Sequence, residues 1–139
     1  MVIPVGEMST EVITQWYRPP EILLGITDYG FCVDVWSAGC VIAEMLTGEP
    51  LFPCQDNDNM IIYISHIFGK KAITDSFPDM DLDFIEETDD IIGLDNIFEG
   101  CDPLVLDLLK RLLEIDPKKR ITASDALKMP VFNRFRENQ

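Results

Sequence analysis

The chain has 139 residues, 47% hydrophobic and 26% charged, which is enough for one modest core and too little for two domains. Its 25 acidic residues face 11 basic ones, and the net charge of −14 excludes nucleic-acid backbones and anionic membrane surfaces as partners while favouring basic or neutral protein surfaces. Cys32, Cys40, Cys54 and Cys101 form no C-x-x-C pair and His66 cannot complete a zinc set with them, so no metal site is expected.

From Val2 to Gln15 no helical spacing of apolar residues occurs, and the stretch reads as an extended loop running into Trp16 and Tyr17. Pro19 and Pro20 then suit the start of a short helix, because proline loses only an N–H that the first turn leaves unpaired; Gly25 stops it. Val33 to Leu46 is apolar nearly all round, the pattern of a helix covered on most sides, with a stop at Thr47-Gly48. A second helix is predicted from Asn57 to Phe68, its apolar stripe made by Met60, Ile61, Ile64, Ile67 and Phe68.

Residues 70 to 100 carry the acidic run Asp79, Asp81, Asp83, Glu86, Glu87, Asp89, Asp90 and Asp95 and few clear periods. They read as an insert of loops and turns, its charge either a solvated surface or a docking face for basic peptides. Asp102-Pro103 caps and opens a strong helix bearing Leu104, Leu108, Leu112 and Val105, Leu109, Leu113, which Asp116-Pro117 is expected to end. Thr122-Ala123-Ser124-Asp125 opens a last short helix, stopped before Pro130. The expected fold is mainly α. No run reaches the ~20 apolar residues of a membrane span, no secretory leader is visible, and free thiols fit a cytoplasmic or nuclear setting.

Three separated signatures go further. Ile3-Pro4-Val5 followed by S-T-E-V-I-T-Q-W-Y-R-P-P-E-I-L-L-G from Ser9, D-V-W-S-A-G-C from Asp34, and L-L-E-I-D-P-K-K-R-I-T-A from Leu112 occur in one order and approximate register. Together they resemble the C-terminal lobe of Ser/Thr protein kinases of the CMGC group, the cyclin-dependent, MAP and nemo-like kinases. The resemblance implies a partial kinase domain over residues 1–135, from the activation segment to the last helix, with no N-lobe and a tail at 136–139.

It also implies roles. Glu21 and Arg120 match an ion pair tying the activation segment to the end of the lobe, and a guanidinium can meet a carboxylate through two parallel hydrogen bonds as lysine cannot. Asp34 matches an aspartate that anchors the catalytic loop, with a helix-end carboxylate favoured by the macrodipole as the plain alternative. In the substrate pocket, Thr14 matches the residue that braces the family's catalytic aspartate, and Val12, Ile13 and Arg18 match the part that receives the residue after the phosphoacceptor, provided a complete site exists; otherwise they are loop and packing residues. Ser9, with Thr10 beside it, matches the activating phosphosite, whereas Glu11 stands where MAP kinases carry a second one.

Phosphoryl transfer in protein kinases uses a Gly-rich loop, a strand lysine, an H-R-D-x-x-x-x-N loop and D-F-G, and none of these motifs occurs in the 139 residues. The expectation is therefore an incomplete kinase with no catalytic residue, metal site or cofactor of its own, ATP and Mg being expected only for a full-length family member. Protein partners or peptide substrates are expected, with one partner covering apolar surface near Val35, Trp36, Val41 and Ile42 that the missing half would hide. The alternative is a stand-alone, non-catalytic binding module that holds a kinase or its substrate.

Overall fold

The computed structural model describes residues 15–27 and 30–133, and among them no strand occurs. A 3-10 turn at Gln15–Tyr17 leads into α1 (Pro20–Leu23), then α2 (Cys32–Thr47), α3 (Asn57–Phe68), α4 (Lys70–Ser76), α5 (Leu94–Ile97), α6 (Pro103–Leu112) and α7 (Ala123–Leu127), and a second 3-10 turn at Pro130–Phe132 follows.

Helix ends follow the local chemistry. The Asp56 carboxylate accepts the Asn59 N–H at 2.8 Å and starts α3. The Asp102 carboxylate takes the Leu104 N–H at 2.9 Å, and the Thr122 hydroxyl oxygen the Asp125 N–H at 3.1 Å; each satisfies a donor that the first turn leaves unpaired. Gly48, at φ 81, closes α2 in the left-handed conformation that glycine adopts without strain.

One core holds most of the lobe together. Trp36 of α2 is fully buried; its ring stacks on Phe52 at 5.8 Å, and Phe68 packs against it at 6.2 Å. Met60, Ile61, Ile64 and Ile67 of α3 and Leu109 of α6, with Leu113 just beyond it, fill the space around them. Helices α2 and α6 cross so closely that a methyl group on Gly39 would lie 2.8 Å from the Leu113 side chain. A smaller cluster of Val35, Leu108, Leu112, Ala126 and Met129 seals α2 against α6 and α7.

Three expectations change. Residues 70 to 100 are not only loops: Gly69, at φ 93, redirects the chain, and α4 starts at once behind it. The insert is also tied down, because the Ile92 and Gly93 N–H groups donate to the His66 and Ile67 carbonyls at the end of α3. Helix α6 stops at Leu112, four residues before the Asp116-Pro117 pair, with Leu113 as its cap.

Thirdly, Val35 and Trp36 are buried by the lobe's own residues and Ile42 is half-buried, whereas Val41 is exposed as expected; the remaining apolar exposure on α2 falls at Phe31, Met45 and Leu46. Phe31 is 91% exposed and Met45 77%. At 100° per residue Phe31, Ala38, Val41, Ile42 and Met45 share one side of the helix, opposite Trp36 and Cys40.

Thiol chemistry reports on this packing. Burial pushes the Cys40 thiol up to about 12, and the Cys54 thiol is also raised, by partial burial and then by Asp56. Roughly one Cys40 thiol in ten thousand is thus ionised at pH 8. Alkylation at that pH is expected to leave Cys40 unmodified in the native chain and to reach it only in denaturant; mass-mapped labelling of Cys40 at the rate of an unfolded control would contradict the burial of the Trp36–Cys40 face of α2.

Candidate functional site: the segment seat

The residues from Trp16 to Gly25 are held on the helical lobe by two polar attachments, one buried and one half-buried. The first begins with Pro19 in extended geometry, at φ −72 and ψ 162, and Pro20 in the first turn of α1, which together point Glu21 inward. At the far end of the chain, the Lys119 and Arg120 N–H groups bond to the Asp116 carbonyl at 3.0 Å, and this turn carries the Arg120 side chain back toward α1.

Glu21 and Arg120, 99 positions apart, meet there. Arg120 Nη1 donates to Glu21 Oε2 at 2.7 Å and Nη2 to Oε1 at 3.0 Å, with side-chain exposures of 0% for the arginine and 2% for the glutamate. The remaining donors go to backbone carbonyls: Nη1 to Cys32 at 2.9 Å, Nη2 to Ile115 at 3.2 Å and Nε to Glu114 at 2.8 Å. All five N–H groups of the guanidinium are therefore used, the condition under which a buried charge is tolerated. Its face lies 5.2 Å from the centre of the Trp36 ring, a cation–π distance, so the ion pair is joined to the aromatic core.

The second attachment is formed by Tyr17, Ser37 and Glu44. Ser37 Oγ donates to the Tyr17 carbonyl at 2.7 Å, and Tyr17 Oη donates to Glu44 Oε1 at 2.6 Å. Helix α2 thus grips both the backbone and the ring of Tyr17. The signal for this in the sequence was Glu44, a carboxylate ten residues beyond Asp34 in a helix otherwise apolar nearly all round; the partner 27 residues away was not legible.

The hydrogen bond to Glu44, with burial behind it, holds the Tyr17 phenol above its usual range. A raised folded-state value means that the contribution is whole below about pH 10 and is lost as pH climbs through the folded value. Tyr17→Phe is expected to lower stability by about 1–2 kcal/mol at pH 7 and to flatten the alkaline fall, as read by urea unfolding at pH 7 and across about pH 9 to 11.5. An unchanged alkaline slope would show that the phenol is not held by Glu44.

Of the other residues singled out in the sequence, Arg18 is half-buried between the two attachments and Asp34 is exposed in the first turn of α2. Asp34 lies on the rim of an apolar groove of about 670 Å³ between α2, α6 and α7, lined among others by Val35, Ile42, Leu108, Leu112 and Ala126. Ser9, Thr10, Val12, Ile13 and Thr14 lie outside the described residues. Among the described residues no three His, Cys, Asp or Glu side chains are grouped to hold a metal ion. No helix among them is long and apolar enough to cross a membrane.

A lobe with no strand among its described residues, built around a central helix that buries Trp36 and Cys40, and with the Trp16–Gly25 segment locked to Arg120 by a buried arginine–carboxylate fork, is the C-terminal lobe of a protein kinase. The chain belongs to the protein kinase domain family, whose sequence model matches residues 2–132. Cyclin-dependent kinase 1 of Encephalitozoon cuniculi is 38% identical over 135 residues, which are 94% of this chain and 45% of that protein. Mitogen-activated protein kinase HOG1 of Chaetomium globosum is 42% identical over 126 residues, 87% of this chain and 35% of that one. In three dimensions the chain is similar to the MAP kinase LmaMPK10 of Leishmania major, with a TM-score of 0.72 at 29% identity over 87% of this chain and 37% of that one. The chain spans less than half the length of the curated relatives it matches.

Proposed function

We propose that these residues supply the peptide-gripping half of a CMGC-type Ser/Thr protein kinase and that the 139-residue chain alone transfers no phosphate. The observation that carries the first part is the Glu21–Arg120 fork, which ties the Trp16 to Gly25 segment to the lobe through two buried hydrogen bonds. A substrate pocket built from Val12, Ile13, Thr14 and Arg18 would be held in place from that fixed end, and Ser9 or Thr10 would be the phosphosite that orders the segment before it. Asp34 would anchor the catalytic loop of a complete domain.

The second part rests on chemistry. The sequence contains no H-R-D, D-F-G or Gly-rich phosphate loop, and its net charge of −14 opposes binding of a polyanion. ATP and Mg belong, in this reading, to a longer family member. The apolar stripe of α2 and the adjoining groove are, in this reading, the seat of the remainder of a kinase domain, because the curated relatives carry more than half their length outside the matched region and Phe31, Val41 and Met45 are exposed beside the groove. A cytoplasmic or nuclear location goes with this reading.

The purified chain, given Mg-ATP and a peptide with serine followed by proline, is expected to incorporate no phosphate above a blank and to give no heat of Mg-ATP binding. Addition of the N-terminal remainder of a relative's domain is expected to protect the α2 stripe from hydrogen exchange. Phosphate transfer by the chain alone would overturn the reading. The exposed acidic run at 79–95 favours a second reading, a non-catalytic binding module; capture of an intact kinase by the chain, with α2 still unprotected by the added domain half, would select it.

A further inference from the structure

We draw no further inference here: the strongest candidate, the apolar groove between α2, α6 and α7 with the exposed stripe of α2 beside it, belongs to the surface already read as the seat of the rest of a kinase domain, and nothing else in the structure shows what covers it.

Discussion

Glu21→Ala is expected to cost about 3–5 kcal/mol, a large share of the about 5–15 kcal/mol by which a domain is stable, because it strands a guanidinium whose side chain is 0% exposed. Arg120→Lys is expected to be nearly as harmful, since an ammonium cannot span both carboxylate oxygens and three carbonyls from one position. A double variant, Glu21→Leu with Arg120→Met, separates charge from geometry. Were the site only an ion pair, an apolar replacement of similar volume would be close to neutral. Here the carbonyls of Cys32, Glu114 and Ile115 would lose their donor, each at about 1–3 kcal/mol if left dry, so the double variant should recover only part of the loss. Urea unfolding reads all three, and hydrogen exchange over residues 15–27 should quicken in each. A loss below about 1 kcal/mol for Glu21→Ala would mean that the fork is not a structural lock.

The two ends of this lock differ in how visible they are in the sequence. Pro19-Pro20 and Gly25 mark a helix start and stop by backbone chemistry alone, so α1 was legible from its own residues. Nothing local links Glu21 to position 120; that pairing came from the resemblance, because a contact across 99 residues leaves no period in one sequence. The clamp of Tyr17 by Ser37 and Glu44 had neither kind of signal and was missed.

The helices show the same division. Helices α3 and α6 bury most of the stripe their period predicts, with Leu104 left exposed at the start of α6; Gly69 and the Asp102-Pro103 pair mark ends by local chemistry, whereas the Asp56 cap was not read from the sequence. Helix α4 is anchored by one buried residue, Ile73, within seven, too few for a period to register. The burial of Val35 and Trp36 was misjudged because cover was sought only from absent segments. Phe52 and Phe68 close over Trp36, and α6, α7 and Met129 close over Val35, all from residues later in the chain.

Trp36 is where these elements converge, and Trp36→Ala is expected to cost about 3–5 kcal/mol through the cavity left in a close-packed core. The location adds a specific consequence. The ring lies between the Phe52 stack and the Arg120 guanidinium, so its removal should loosen the lock on Glu21 as well as the core. Trp36→Phe distinguishes these effects. The indole N–H is buried with no hydrogen-bond partner among the described residues, so its loss should cost little. A phenyl ring keeps much of the volume and a face for the arginine, and the loss should fall to about half that of alanine. Combining Trp36→Ala with Glu21→Ala should then give less than the sum of the single losses, because each weakens the same arginine's surroundings. Strict additivity in that cycle would show that the aromatic core and the segment lock are energetically separate, and the fork alone would then account for how the N-terminal segment is held.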